Sequence, residues 1–239
     1  MESAYYRCLP TCNHKDPLAA QWRIRRRSFA AFMAWTRVNL QAGAKVIDVG
    51  AGVGWVCNHL DGAGFGPCAV DINDDDKDGL KAARHYTPKW PIVQAEFDRL
   101  PIPAETVDAV LFNASLHYSA DYLITLREAL RVLKPRGKIV VMDSPVYSDR
   151  SSGETMLEEQ RRTFQAQLAD RSDSLQQVGF LTWSMLARLA EELNISWRWQ
   201  TPWYGWRWAI RPAMARIGGS REPARFHLLW AEKQANAIR

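Results

Sequence analysis

Residues 45–60, KVIDVGAGVGWVCNHL, constrain the fold of this 239-residue chain more than any other stretch. The apolar residues at its start favour a strand, and the glycines that follow stand on alternate positions, at Gly50, Gly52 and Gly54. Glycine lets a backbone approach a ligand closely because it has no Cβ atom. The pattern then becomes helical, and a helix that begins near Val53 directs its free N–H groups and its positive dipole end toward the same place. The stretch therefore predicts a strand, a tight turn and a helix, as at the start of a nucleotide-type binding unit in an α/β sheet.

The spacing of these glycines disfavours some of the ligands that a glycine-rich turn can bind. A dinucleotide-binding turn usually has the pattern G-x-G-x-x-G, whereas here the third glycine comes one residue early. No lysine followed by serine or threonine comes after the glycines, which disfavours a nucleoside triphosphate. Asp48 stands two residues before the first glycine. The resulting Asp-x-Gly-x-Gly-x-Gly, at the end of a first strand, resembles motif I of the class I S-adenosylmethionine-dependent methyltransferases.

Strand-like and helix-like segments alternate along most of the chain. Five strands are predicted at 46–49, 67–72, 91–95, 109–112 and 138–143. Helices are predicted between them at 53–60, 76–86 and 121–133. Further on, the pattern predicts helices over 151–170 and 183–193, the second capped by Thr182, and strands over 195–200 and 225–232. This alternation favours a doubly wound, mostly parallel sheet.

The N-terminal forty residues are expected to form an arm and a helix. Residues 1–15 have mixed composition and are expected to be irregular. Asp16 and Pro17 suit the start of a helix that continues to about Asn39. Arginines are concentrated at residues 23–27, which more often indicates a solvated helix face than a nucleic-acid-binding face.

Charge and cysteine content exclude several classes of protein. The net charge of +5 and the pI of about 9.1 are compatible with anionic partners. The sequence contains no run of about 18 apolar residues, so no transmembrane helix is predicted. The N-terminus lacks the apolar core of a signal peptide. Four cysteines are too few for a disulfide scaffold, so a cytoplasmic location is expected. Cys8, Cys12 and His14 lack a second ligand pair at zinc spacing, and no metal is expected.

Three further segments extend the resemblance to the methyltransferases. Residues 96–101, EFDRLP, are similar to the acidic residue and Leu-Pro pair that follow the third strand of these enzymes. Residues 107–117 are similar to their motif IV, and residues 127–138 to the helix and turn before their fifth strand. Departures from the usual residue are Glu96 for Asp, Val107 for Phe and Arg136 for Gly. The resemblance covers about residues 40–145 and is to the small-molecule methyltransferases, which include quinone C-methylating enzymes.

The resemblance implies a fold and a division of the chain. The implied fold is a doubly wound, Rossmann-like α/β sheet of seven mostly parallel strands with helices on both faces and a helical cap. Its strand order is 3-2-1-4-5-7-6, with strand 7 antiparallel. A single domain is expected over 1–239, with an N-terminal arm and helix at 1–40 and a cofactor-binding core at 41–143. Probable substrate-cap insertions would occupy 144–180 and 201–222.

The resemblance also implies S-adenosylmethionine as the cofactor, and the residue chemistry agrees. Asp48 can hold the ammonium group, and the glycine turn suits the carboxylate. Asp71, which stands 23 residues after Asp48, can accept hydrogen bonds from the ribose hydroxyls. Ile72 offers an apolar face to adenine, and Glu96 can accept from its amino group. Each carboxylate could instead be a helix cap or a turn residue. The residues expected to contact the cofactor are Asp48, Gly50, Ala51, Gly52, Gly54, Asp71, Ile72, Glu96, Phe97 and Asn113.

The acceptor side of the site is less constrained by the sequence. Methyl transfer requires alignment and exclusion of water, and it requires a base only if the acceptor must lose a proton. His117 follows the fourth strand and is the candidate base, although it could instead orient a loop or line the pocket. Ser115, Tyr118, Tyr6 and Tyr147 are the expected substrate-pocket residues.

Residues 203–217 have three possible roles. Trp206, Ile210, Met214 and Ile217 fall on one helical stripe, which could close over an apolar substrate, dock on an anionic membrane surface, or pack against the sheet or a second subunit. Pro212 weakens a continuous interfacial helix.

The predicted function is methyl transfer to an O, C or N centre of a small molecule, by a monomer or homodimer. The alternatives are an RNA or protein methyltransferase, of which the RNA enzyme is disfavoured by the absence of an added RNA-binding module, and a non-catalytic cofactor-binding scaffold.

Overall fold

A seven-stranded sheet forms the centre of the computed structural model, which describes residues 2–11, 18–167 and 177–235. Its strands are β1 Lys45–Val49, β2 Gly66–Asp71, β3 Ile92–Gln94, β4 Val107–Asn113, β5 Leu133–Met142, β6 Arg198–Gln200 and β7 Leu228–Glu232. They are ordered β3-β2-β1-β4-β5-β7-β6, and β7 runs antiparallel to both of its neighbours. The predicted fold class and strand order are confirmed.

Helices cover both faces of this sheet because its strands are apolar on both sides. They are α1 Glu2–Cys8, α2 Ala19–Asn39, α3 Trp55–Gly62, α4 Tyr122–Val132, α5 Arg150–Gln167, α6 Trp183–Leu193, α7 Trp206–Ala209 and α8 Arg211–Ile217. Within β4, Val110 and Phe112 pack with α4 and α6, whereas Leu111 packs with α2 and α3 on the other face. Successive side chains of a strand point to opposite faces, so one strand contributes to both halves of the core.

Polar caps fix the starts of two helices where the sequence predicts them. The Asp121 carboxylate accepts the backbone N–H groups of Leu123 and Ile124 at the start of α4. The Thr182 hydroxyl accepts the N–H of Met185 at the start of α6, over a distance of 3.1 Å. Each cap satisfies backbone donors that have no partner within the helix.

Two local predictions were wrong. The N-terminal arm is not irregular, because α1 occupies Glu2–Cys8. The expected helix over 76–86 is a 3₁₀-helix over Leu80–Tyr86. The Asp75 carboxylate accepts the N–H groups of Lys77 and Asp78, so the acidic trio forms a turn before the 3₁₀-helix begins. Asp16, Pro17, Cys12 and His14 lie outside the described residues.

The two expected cap insertions lie beside the carboxyl end of β5. Val146–Tyr147 pairs with Leu181–Thr182 in a separate two-stranded sheet, and α5 lies between these strands in the chain. Val146 also bridges to Arg225 after α8. The division into core and cap stays a prediction. In the described part of the chain, none of the helices has the length and apolar character needed to cross a membrane.

Candidate functional site

The glycine turn after β1 is held by backbone hydrogen bonds to β2. The N–H groups of Gly50 and Ala51 both donate to the carbonyl oxygen of Val70, at 2.8 and 3.0 Å. Gly50, Gly52 and Gly54 have φ angles of +77°, +52° and +75°, in the left-handed region that favours glycine. The turn therefore needs glycine at all three positions for its backbone conformation alone.

Position 50 requires glycine for a second reason, because its backbone packs closely against the loop that follows β4. A Cβ atom on Gly50 would lie 2.3 Å from Cβ of Ser115 and 3.2 Å from the Phe97 ring. Ser115 itself donates a hydrogen bond of 2.5 Å to the carbonyl oxygen of Val49. The start of the glycine turn and the loop after β4 are thus in direct contact.

Asp71 is fixed at the end of β2 by two backbone donors. Its carboxylate accepts the N–H of Gly52 at 2.7 Å and the N–H of Asn73 at 2.9 Å. These bonds orient the carboxylate against the glycine turn and leave its other lone pairs available to a hydroxyl-bearing ligand.

Asp48 is completely buried, and neither of its carboxyl oxygens has a hydrogen-bond partner in the described structure. Burial, and to a lesser extent the nearby Asp71 carboxylate, together raise the pKa of Asp48 to about 8. A buried, unpartnered carboxylate is costly unless a cation joins it. An ammonium group of a bound ligand would supply that cation.

The remaining residues expected to contact the cofactor surround the same turn. Asn113 is buried at the end of β4, and its side-chain oxygen has no partner in the described structure. Phe97 packs edge-on against Phe112. Ile72 is half exposed, and Glu96 is exposed, at the rim beyond β2 and β3. Their roles toward a ligand stay predictions.

A cavity of about 340 Å³ opens beyond the carboxyl ends of β4 and β5. Ligands bind at such strand ends in doubly wound sheets. Its walls come from α2, the loops after β4 and β5, α5 and the segment that follows α7. The lining residues include Gln21, Ile24, Arg25, Ala114, His117, Tyr118, Asp143, Tyr147, Met156, Gln160, Arg211, Arg221 and Phe226.

Asp143, immediately after β5, belongs to a buried hydrogen-bond chain that the sequence did not predict. The Ser28 hydroxyl donates to one Asp143 carboxyl oxygen, and the Tyr204 hydroxyl lies 2.8 Å from that of Ser28. The other carboxyl oxygen, Oδ2, is buried without a partner in the described structure. Burial raises the pKa of Asp143 to about 6, against the opposing effects of the Ser28 hydrogen bond and the Arg25 charge.

His117 also lines the cavity, and it is a weak base there. Its Nδ1 atom lies 3.3 Å from the Ser144 hydroxyl, and its ring packs against Tyr118 with centroids 4.3 Å apart. Burial lowers the pKa of His117 to about 4, and the Arg25 charge acts in the same direction. The imidazole is therefore neutral near pH 7.

The structure brings together only some of the expected substrate-pocket residues. Tyr118 and Tyr147 line the cavity with His117, but Ser115 points to β1 instead. Tyr6 lies elsewhere: its ring stacks on His85, and its hydroxyl donates to the carbonyl oxygen of Lys77.

Two charged residues that line the cavity, Asp143 and Arg25, were not among the residues predicted for the site. Asp143 could have been found from its position at the end of a central strand. Arg25 belongs to a visible arginine run, but nothing local distinguishes it from its neighbours.

Two of the six non-glycine residues that have a left-handed φ angle in the described part of the chain line this cavity. Ala114 and Asp143 adopt left-handed φ angles of +52° and +55°, and both line the cavity. Such a conformation costs a non-glycine residue about 1–2 kcal/mol. Strained residues cluster at functional sites, because the surrounding structure must be arranged to hold them.

Comparison with known proteins agrees with this geometry. Residues 47–141 match the family model described as "Methyltransferase domain". The demethylmenaquinone methyltransferase of Corynebacterium urealyticum is 32% identical over 122 residues, which are 51% of this chain and 47% of that protein. The fatty-acid O-methyltransferase of Mycolicibacterium smegmatis is 28% identical over 130 residues, which are 54% and 47% of the two chains. The chain spans about half the length of each of these relatives.

Solved structures give the same fold. An S-adenosylmethionine-dependent methyltransferase of Mesorhizobium loti superposes with a TM-score of 0.58 at 19% identity, over 84% of this chain and 97% of that one. One from Aquifex aeolicus gives 0.56 at 16% identity, over 97% and 98%.

Residues 47–141 are thus similar to a methyltransferase domain, and the fold agrees with that similarity. The similarity implies S-adenosylmethionine as the cofactor. The residues around the glycine turn fit that group, because the unpartnered Asp48 carboxyl can receive an ammonium and Asp71 retains acceptor capacity for a ribose diol.

The first prediction concerns Asp48→Asn, beside the glycine turn. An ammonium ligand binds the ionised carboxyl, so binding should release a proton near pH 7 and strengthen as pH rises from about 6.5 to about 8. The variant should bind S-adenosylmethionine at least about tenfold more weakly, since a hydrogen bond to a charged group contributes about 1.5–3 kcal/mol. Calorimetry in buffers of different ionisation enthalpy measures both the affinity and the proton release.

Thermal melts of the free protein provide the control for this variant. The folded-state pKa of Asp48 is raised from 3.8 to about 8, so the unfolded state loses the proton first and stability falls as pH rises through this interval. Asp48→Asn should therefore stabilise the free protein at pH about 8 and leave it nearly unchanged at pH about 4. Tight, pH-independent binding by the variant would remove Asp48 from the ammonium site.

The second prediction distinguishes two reasons for glycine at position 50: its left-handed φ angle and the close contact of its backbone with Ser115. Gly43 and Gly50 have nearly equal φ angles, +76° and +77°, but a Cβ on Gly43 would meet nothing within 4 Å. Gly43→Ala should cost about 1–2 kcal/mol and leave cofactor affinity unchanged. Gly50→Ala should be less stable than Gly43→Ala and should lose cofactor binding. Denaturant unfolding measures the stability, and calorimetry measures the binding.

A double variant identifies the contact responsible. Gly50→Ala combined with Ser115→Gly removes the Cβ atom that lies 2.3 Å away and should recover part of the lost stability. Equal stability losses at Gly43 and Gly50 would contradict the close-approach explanation.

Proposed function

We propose that this protein transfers the methyl group of S-adenosylmethionine to a small-molecule acceptor that binds in the cavity beyond β4 and β5. The observation that carries the proposal is a pair of buried carboxyl groups, each with at least one oxygen that lacks a hydrogen-bond partner in the described structure. Asp48 lies at the glycine turn, where it suits a cationic cofactor, and Asp143 lies on the cavity wall, where it suits a proton-bearing acceptor. When bound, the cofactor supplies an electrophilic methyl group attached to a good leaving group.

The chain's own residues would hold the two ligands and exclude water. Asp48, Asp71 and the glycine turn would hold the cofactor. The cavity would hold the acceptor with its nucleophilic atom toward the turn, because alignment contributes most of the acceleration in a displacement of this kind. A volume of about 340 Å³ suits a small molecule rather than a polymer.

Asp143 is the better candidate for taking a proton from the acceptor. A general base works best when its pKa lies near the working pH. The pKa of Asp143 is raised to about 6, whereas that of His117 is lowered to about 4. Oδ2 of Asp143 would accept the proton of an acceptor O–H or N–H as the new bond to the methyl carbon forms. Neutral His117, placed by Ser144, would orient the acceptor.

The charge of the cavity wall favours an acceptor that carries an acidic group. Within the described structure, neither Arg25 nor Arg211 is paired with a carboxylate, whereas Arg221 is bound to Glu159. The Arg211 guanidinium lies 3.8 Å from the centre of the Trp208 ring, and burial lowers its pKa. Asp143 is the one carboxylate among the described residues that line the cavity, so these two arginines leave an excess of positive charge there.

The relatives do not distinguish the methylated atom. The ubiquinone/menaquinone biosynthesis C-methyltransferase of Cronobacter sakazakii is 30% identical over 136 residues, while the Mycolicibacterium relative is an O-methyltransferase. A phenolic or acidic hydroxyl would use the proposed base directly. Location in the cytoplasm and a monomeric or homodimeric state stay predictions.

The third prediction tests the substrate class. Cell extract incubated with the protein and methyl-labelled S-adenosylmethionine should give a labelled small molecule that retains acidic character on anion exchange. Label confined to RNA or protein would favour the corresponding alternative enzyme. Cofactor binding without any labelled product would favour a non-catalytic scaffold.

The fourth prediction tests the base, with the acceptor identified by that screen. Asp143→Asn should lower kcat about 10²- to 10⁴-fold, and kcat should rise with pH around a midpoint near 6 in the wild type. Ser28→Ala removes a hydrogen bond that lowers the pKa of Asp143, so this midpoint should shift to higher pH. His117→Gln should mainly raise KM. A larger loss of kcat in His117→Gln than in Asp143→Asn would return the base role to His117.

A further inference from the structure

Four large apolar side chains lie exposed in a row on α7 and α8. Trp206, Ile210, Met214 and Ile217 are 66%, 44%, 60% and 83% exposed. The N–H of Ile210 donates to Trp206, that of Met214 to Ile210, and that of Gly218 to Met214, so the helical path continues from α7 into α8. Residues spaced by four, four and three along such a path share one face. We call this row the exposed stripe.

The exposed stripe contradicts the expectation that this segment packs against the sheet. A helix of a globular domain normally turns its apolar face to the core. Here the inward contacts are made by other residues: Tyr204 bonds to Ser28, and Trp208 packs against Phe226. Trp203, just before α7, is 70% exposed as well. An apolar face of this kind marks an interaction site.

The surroundings of the stripe are strongly basic. Residues 18–30 and 201–221 contain eight arginines and no Asp or Glu, whereas the rest of the chain contains 23 basic and 26 acidic side chains. The two segments touch, because the Arg27 guanidinium donates to the Trp203 carbonyl oxygen at 2.9 Å. Four arginines of these two touching segments are exposed: Arg23, Arg26, Arg207 and Arg216.

We propose that the exposed stripe and its arginines dock the protein on the surface of a bilayer that contains anionic lipids. Tryptophan and aliphatic side chains enter the boundary between headgroups and acyl chains, and arginines at the rim bind lipid phosphates. Both parts of this chemistry are present on one face. Pro212 interrupts only one backbone donor, within the first turn of α8, and the hydrogen bonds on either side of it are retained.

Two other occupants suit the surface less well. An isologous dimer would bring the arginines of one copy near those of the other, so like charges would meet around the apolar contact. A nucleic acid would use the arginines and could stack on Trp206, but Ile210, Met214 and Ile217 would gain nothing from it.

Docking would also place the cavity near the bilayer. Arg211 belongs to α8 and lines the cavity, so one helix forms both the membrane-facing surface and a cavity wall. The docking proposal does not depend on the proposed methyl transfer, because its readout is lipid binding by the cofactor-free protein.

The fifth prediction is tested by flotation with two kinds of vesicle, phosphatidylcholine alone and phosphatidylcholine mixed with phosphatidylglycerol. The full chain should float with the mixed vesicles, at least about tenfold more tightly than with phosphatidylcholine, and high salt should weaken this binding. Trp206→Glu combined with Ile217→Glu should lower binding at least about tenfold. Arg207→Gln combined with Arg216→Gln should reduce binding to mixed vesicles only.

Ile124→Glu supplies the matched control. Ile124 is 48% exposed on α4, which packs on the opposite face of the sheet from α2, and its substitution introduces the same charge as each of the two glutamates in the double variant. It should bind vesicles as the wild type does. Milder changes, Trp206→Ala with Ile217→Ala, should also reduce binding and serve if the glutamate variant melts at a lower temperature.

Three results would overturn the proposal. The first is absence of binding to mixed vesicles at low salt. The second is a concentration-dependent dimer, seen by light scattering without lipid, that the Trp206 and Ile217 variants dissociate and the Ile124 variant does not. The third is binding of an RNA oligonucleotide that displaces the protein from mixed vesicles and is unaffected by the Ile217 substitution.

Discussion

The parallel pairing of β1 with β2 and β4 determines the positions of Asp48, the glycine turn and Asp71. Asp48 lies beside Ala69 on one side and Leu111 on the other, so its carboxyl group is enclosed in the middle of the sheet. The same register places the Val70 carbonyl where it receives two N–H groups from the glycine turn. With Asp71 as the next residue, two carboxyl groups lie near each other in a low-dielectric region, and the buried one is held in its neutral form unless a cation arrives.

In the cavity beyond β4 and β5, burial is the main cause of two pKa shifts, and the Arg25 charge modifies both. Burial pushes the pKa of Asp143 up and that of His117 down, since it disfavours either charged form. The Arg25 charge opposes burial at the carboxyl group and reinforces it at the imidazole. Near pH 7 the result is an ionised Asp143 beside a neutral His117, which is the combination that can accept a proton.

The sequence predicted those features that short-range patterns encode. Alternate glycines, capping residues such as Thr182 and runs of apolar residues determine local conformation, and the sheet order follows from the resemblance that they carry. The Asp143–Ser28 hydrogen bond joins residues 115 positions apart, and the Ser28–Tyr204 contact joins residues 176 apart. No periodicity records such pairs, because they depend on how α2 and the segment before α7 close over β5. Helix α1 was missed for a similar reason: the stacking of Tyr6 on His85 is a tertiary contact that a short polar segment does not reveal.

The segment from residue 201 to residue 221 has one face that contacts the interior and another face that is exposed. Tyr204 and Arg211 face the interior, where the first joins the chain of hydroxyls to Asp143 and the second forms a cavity wall. The exposed stripe on α7 and α8 faces outward and is apolar. A displacement of this segment would therefore act on both sides at once, because the Tyr204–Ser28 contact links it to the carboxyl group. If the outer face binds a surface, the hydrogen bonding of Asp143 becomes sensitive to that binding, through a path of two hydroxyl groups.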